Sequence, residues 1–193
     1  MSLRAVTSFV IATATLVCGQ SPRAAQPEPR PLTDPDAYAI YAALLPGTWA
    51  SVSKKEALLL QQQTEDIKEV ASCLSSAGRT AEPEWEAVDA NFRQMNATRH
   101  RLELVLPMDY PYRLIPRAEI LADDARLALK YPGTWQHRPE SMEYAAVSAV
   151  GFNATKDKAL VYIRLRSSGR LTSLELTNGV WIVAGPGGCG WVA

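Results

Sequence analysis

Histidine is the side chain best placed to move protons near neutral pH, and the chain has only two, His100 and His137. A zinc site would need them joined by cysteines or carboxylates at ligand spacing, and neither His-x-x-x-His nor Cys-x-x-Cys occurs. His100 stands in Arg99-His100-Arg101, which reads as a solvated turn, and His137 follows Trp135 in another turn-like stretch. Gly-x-Ser-x-Gly, the strained elbow that presents a nucleophilic serine, is absent. Asp123-Asp124 and Glu82 with Glu84 could share acid–base work in a cleft, but acids near helix starts more simply favour the helix dipole. No catalytic residue, metal ligand or cofactor site is assigned.

Three arginines could bind an anion, although the solvent face of a sheet is the simpler reading. Arg164 and Arg166 share one face of an expected strand, opposite Val161, Ile163 and Leu165, with Arg170 close behind. Guanidinium forks match carboxylate and phosphate oxygens, so these three form a candidate anion patch; a plain solvent face would carry the same residues. The glycine-rich tail Gly185-Pro186-Gly187-Gly188-Cys189-Gly190 lacks the lysine and following helix of a phosphate loop, and reads as a bend returning Cys189 and Trp191 to a sheet. Asn96-Ala97-Thr98 and Asn153-Ala154-Thr155 match the glycosylation sequon and are read as turns.

The remaining reactive side chains are Cys18, Cys73 and Cys189. Cys18 ends an uncharged, mostly apolar run, Ala5 to Val17, that follows Arg4 and precedes a polar, proline-rich stretch. That is the layout of a secretory signal peptide over residues 1–19, too short for a confident membrane span. Cleavage after Gly19 gives soluble export; acylation at Cys18 gives an anchored lipoprotein, although Val17 and Thr15 fit a lipobox poorly. With Cys18 removed, Cys73 and Cys189 form an even pair in an oxidising compartment, and a bridge between them would stabilise the fold by about 4–5 kcal/mol. Two unpaired cysteines are the alternative.

Twenty Lys and Arg balance twenty Asp and Glu. A balanced charge without a basic block argues against a nucleic-acid partner, and membrane contact would come only through the N-terminus. Residues 20–35, with five prolines, read as a flexible linker, and residues 36–193 as one domain.

These side chains must be held by the elements that follow. Asp34-Pro35 is a helix start, and Tyr38, Tyr41, Leu44 and Leu45 then give an apolar, core-facing stripe that Pro46-Gly47 should end. Ala57 to Thr64 is ambiguous between helix, which its leucines and glutamines favour, and strand. Ile67 to Leu74 looks helical, and Pro83 opens a helix with Trp85, Val88, Phe92 and Met95 at core spacing. Leu102 to Leu106 and Tyr112 to Ile115 are strand-like. Arg117 to Tyr131 fits a helix with Ile120, Leu121, Leu127 and Leu129 as its apolar positions. Strands are then expected at Tyr144 to Phe152, Ala159 to Arg166, Leu171 to Leu176 and Val180 to Val183, the last two joined by an Asn178-Gly179 hairpin turn. Helices in the N-terminal half and consecutive strands in the C-terminal half predict an α+β fold. Helices would pack on one face of a mostly antiparallel sheet, its other face partly solvated.

Ser148-Ala149-Val150-Gly151-Phe152-Asn153, then Lys158-Ala159-Leu160-Val161-Tyr162, and finally Asn178-Gly179-Val180-Trp181 resemble a family of uncharacterised exported bacterial proteins with a VGFN…ALVY…NGVW pattern. Tyr38-Ala39-Ile40-Tyr41 is similar to its tyrosine-rich first helix, and Asp89-Ala90-Asn91-Phe92 with Asn96 to its middle helix. The resemblance implies export, this fold class and a strand at Leu58 to Gln63, and it implies no known activity. Members often carry a cysteine- and glycine-containing loop before the final hairpin, where this chain has Arg166 to Arg170 without cysteine. The functional expectation is a non-catalytic binding or scaffolding domain of the periplasm or cell envelope, with an unknown ligand or an envelope protein as partner. A small periplasmic hydrolase and an envelope lipoprotein docking a protein are the rivals.

Overall fold

The computed structural model describes residues 28–50, 57–71, 83–103, 105–132, 141–184 and 189–192. Helix α1 spans Pro35–Ala50. Asp34 caps it, its side chain accepting from the Asp36 N–H at 3.1 Å, and Pro35 occupies the first turn, where a missing N–H costs nothing. Tyr38 and Tyr41 are core residues: their hydroxyls donate to the carbonyls of Leu32 and Ser148 at 2.9 and 2.7 Å. Pro46 does not end the helix. An interior proline costs about 3 kcal/mol. Leu45 and Trp49 are both buried in the core, and such burial contributes about 1.5–3 kcal/mol for each large side chain. Two of them offset the proline, so the helix runs on to Ala50.

The linker expectation also needs correction at its end. Strand β1, Arg30–Leu32, pairs in parallel with β3, His100–Leu102, as a separate two-stranded sheet. Pro31 is tolerated because β1 has a neighbour on one side only, and Leu32 reaches the core.

An eight-stranded mixed sheet forms the centre. It contains β2 (Leu58–Gln61), β4 (Tyr112–Ile115), β5 (Ala145–Val147), β6 (Gly151–Phe152), β7 (Lys158–Leu165), β8 (Ser168–Thr177), β9 (Val180–Val183) and β10 (Gly190–Val192). The order along it is β10-β8-β7-β5-β2-β4, with β6 also on β7 and β9 also on β8. Pairing from β5 to β10 is antiparallel, whereas β2 lies between β4 and β5 and is parallel to both. Helix α3, Arg117–Lys130, is the crossover from β4 to β5. The fold is α+β, with this one parallel corner and one of its helices in the second half of the chain.

Both faces of the sheet are covered, contrary to the one-sided expectation. Alternation along β7 sends Val161, Ile163 and Leu165 into the core beneath α1, with Tyr41, Leu45 and Trp49. Leu160 and Tyr162 point the other way, against Trp85, Val88 and Phe92 of α2, Pro83–Met95. Beside them Ala146 and Tyr144 pack with Ile115 and with Ile120 of α3. In α3 only Ile120 and Leu127 are buried; Leu121 and Leu129 are 53% and 86% exposed, because the helix touches the sheet along a narrow stripe.

Several boundaries move for local reasons. Tyr144 to Phe152 splits into β5 and β6 at a bulge, where Ser148 exchanges bonds with the Tyr162 backbone, its hydroxyl accepting from the Tyr162 N–H at 2.9 Å. Asn96 and Asn91 of the α2 region accept the Ala149 and Phe152 N–H groups that the bulge leaves over. Helix and strand touch directly here: a Cβ on Gly151 would lie 2.5 Å from Phe92 Cα. Strand β3 starts and ends earlier than Leu102 to Leu106, with Leu106 buried from an irregular segment. Lys68–Val70 is one 3-10 turn within the expected Ile67 to Leu74 helix, whose end lies outside the described residues. Arg166 to Arg170 is not a long loop: Arg166 and Ser167 alone make the turn. Asn178 and Gly179 both have positive φ, 52° and 79°, as the hairpin requires.

Candidate functional site

The three arginines of the expected anion patch are divided between the two faces. Arg164 follows Leu160 and Tyr162 on the α2 and α3 side, and its strand partner is Ala146. Its Nη2 and Nε donate to one oxygen of Glu65 at 2.6 and 3.1 Å, and Nη2 also donates to the Tyr144 hydroxyl at 3.0 Å. Burial works against the Arg164 cation, but the Glu65 carboxylate and Tyr144 outweigh it and hold the guanidinium above its ordinary pKa. Arg99 and Arg117 approach the other Glu65 oxygen at 3.8 and 3.9 Å, and Arg99 Nη1 is buried without a hydrogen-bond acceptor. Glu65 therefore neutralises Arg164 and draws arginines from two further segments toward its second oxygen. This cluster ties β2, β7 and the start of α3 together. Sequence reasoning did not single out Glu65; its one signal is a carboxylate a few residues beyond an apolar strand.

Arg166 is spent in the same way. Its Nη2 donates to Asp124 at 3.1 Å and its Nη1 to the Met142 carbonyl at 3.2 Å, with Asp123 at 3.8 Å. The Asp123-Asp124 pair, weighed above for acid–base work, is thus bound to cations. Burial would raise the Asp123 carboxyl, but the Met142 N–H and the guanidinium groups of Arg126 and Arg166 prevail and hold it below the usual carboxylate range. Of the other pair, Glu84 lies 3.4 Å from Lys158, and Glu82 is outside the described residues.

Arg170 is different. It stands on the opposite face of β8, paired in register with Ile163 of β7, and is exposed. Among the described residues no ion pair engages it. It lines a cavity of about 650 Å³ between the second half of α1 and the sheet. Ala43, Leu44 and Gly47 close it from the helix, and Ile163, Leu165 and Val183 from the sheet. Ser168 and Thr172 flank Arg170 two residues away on either side, on its own face of the strand. The cavity exists because Ala43 and Gly47 carry almost no side-chain volume where α1 faces β7 and β8; a Cβ on Gly47 would meet nothing within 4 Å.

The remaining candidates fall elsewhere. His100 is half-buried at the start of β3, not in a solvated turn, and its Nε2 donates to the Met95 carbonyl at 2.8 Å. The ring is fastened because α2 ends directly above that strand. His137, Cys18 and Cys73 lie outside the described residues. Cys189 packs beside the Val70 and Trp85 cluster. No group of three metal-ligating side chains occurs among the described residues. Asn153 and Asn96 spend their side chains within the fold: the Asn153 oxygen accepts from the Asp157 and Lys158 N–H groups, and the Asn96 amide bonds Phe92 and Ala149. Among the described residues no helix is long and apolar enough to cross a membrane. Comparison with protein-family models, curated proteins and solved structures gave no match.

Proposed function

We propose that the protein is an exported, non-catalytic binding domain of the periplasm or cell envelope, and that the cavity beneath α1 holds its ligand. One observation carries this reading: the cavity is apolar over most of its wall and has a single arginine, flanked by hydroxyls, converging on it. Its volume falls within the ~300–1,000 Å³ typical of small-molecule sites. Among the described residues the lining side chains include no carboxylate, imidazole or thiol, so they suit retention of a ligand better than its transformation. Export rests on the charged, apolar and then proline-rich order of the N-terminal residues.

The docking of an envelope protein is a second reading with its own support. Val180, Ile182 and Val183 of β9 are about half exposed or more, on a short strand beside the cavity.

Binding of the neutral fluorophore N-phenyl-1-naphthylamine tests the first reading. Saturable emission is expected from the wild-type chain and from Gly47→Ala, and its loss from Gly47→Phe, which puts a ring into the open space beside the helix. Equal emission from all three, with each variant folded by circular dichroism, would place the apolar site elsewhere.

A further inference from the structure

On the reading that this cavity is the binding site, we propose that its ligand is an amphiphilic carboxylate, with the head group on Arg170 and the tail along Leu44, Gly47, Ile163 and Leu165. The sequence offered three arginines of equal standing, and the fold neutralises two of them: Arg164 through Glu65 and Arg166 through Asp124. Arg170 alone of the three faces the cavity, and no ion pair among the described residues claims it. Its fork can donate two parallel bonds to a carboxylate. Ser168 and Thr172, on the same strand face, place a hydroxyl on each side of that position.

The rest of the wall excludes other chemistries. A cationic ligand would find no carboxylate among the described lining residues and would meet the Arg170 charge. A wholly apolar ligand would fill the space but make no use of the guanidinium. An anion without a tail would leave the leucine and isoleucine walls unused. Space for the tail comes from Gly47, which keeps the helix side open although alanine would suit a helix better.

Calorimetric titration of the wild-type chain, Arg170→Gln and Gly47→Phe with decanoate and with decanol separates the two claims. Decanoate should bind the wild type about tenfold or more tightly than decanol. Arg170→Gln should reduce decanoate to the decanol level and leave decanol unchanged, and Gly47→Phe should abolish both. If decanol equals decanoate in the wild type, or Arg170→Gln leaves decanoate unaltered, the carboxylate assignment is wrong while the apolar site stands. If neither probe binds, or both bind Gly47→Phe as well as the wild type, the cavity itself is overturned as the site.

Discussion

Arg164 and Glu65 lie 99 residues apart in sequence and meet through two hydrogen bonds to one carboxylate oxygen, at 2.6 and 3.1 Å. The pair closes the gap between the α2 and α3 clusters, on the face of the sheet away from the cavity. It draws the chain beyond β2 against β7, and the Glu65 N–H also donates to the Val147 carbonyl of β5. Glu65 thus commits Arg164 to the scaffold, while no ion pair among the described residues engages Arg170.

Glu65→Gln should be one of the most destabilising single changes in the chain. It removes the charge that neutralises Arg164 and that Arg99 and Arg117 also approach, and breaking one side of a buried pair costs about 3–5 kcal/mol. Asp66→Asn, at a more exposed carboxylate beside Arg99 and Lys68, should cost less than about 1 kcal/mol. Urea denaturation measures both. A Glu65→Gln loss as small as that of Asp66→Asn would mean that the arginines are satisfied without the carboxylate.

Acid should weaken the contact between α3 and the end of β7 through Asp123. Its carboxyl is held below the ordinary value of 3.8 in the folded chain, so the unfolded chain takes up the proton more readily. The stability it contributes is fully present above about pH 4 and is lost as pH falls through the depressed folded value. Asp123→Asn should lower stability at pH 7 and flatten the dependence on pH below 4. Unfolding free energies measured from pH 2 to 7 decide this; a slope identical to that of the wild type would assign the acid sensitivity to other carboxylates.

A bridge between Cys73 and Cys189 is proposed from their even number in an oxidising compartment. Val70, three residues before Cys73, packs in the same apolar cluster as Cys189. Intact mass of protein from the envelope fraction should rise by about two daltons on reduction. A chain starting at Gln20 would establish soluble export, and one starting at an acylated Cys18 a tethered lipoprotein. An unchanged mass with both thiols open to alkylation would remove the bridge.

Short-range signals were read well where the physics is local. Asp34-Pro35 starts α1, the Trp85, Val88 and Phe92 spacing buries one face of α2, and Asn178-Gly179 turns the last hairpin. Each depends on capping, helical period or positive φ within a few residues. Pro46 does not stop the helix because the same local rule is outweighed at a distance, by Leu45 and Trp49 entering the core. Leu58–Gln61 could not be settled from its own residues; its place between β4 and β5 makes it a strand. Ser148-Ala149-Val150 read as continuous strand, since the asparagines that support its bulge come from another helix.

The sequence by itself therefore determined the α+β class and the main helix starts and strand segments, and it marked three arginines as candidates for an anion patch. The tertiary structure decided which of those arginines is available. Ion pairing is a through-space choice made after the chain has folded, and nothing in Arg164, Arg166 or Arg170 or their neighbours in sequence shows that Glu65 and Asp124 claim the first two. The cavity was hidden for the same reason: Ala43 and Gly47 are ordinary small residues until α1 is laid across β7 and β8, and only then does their missing volume become a space.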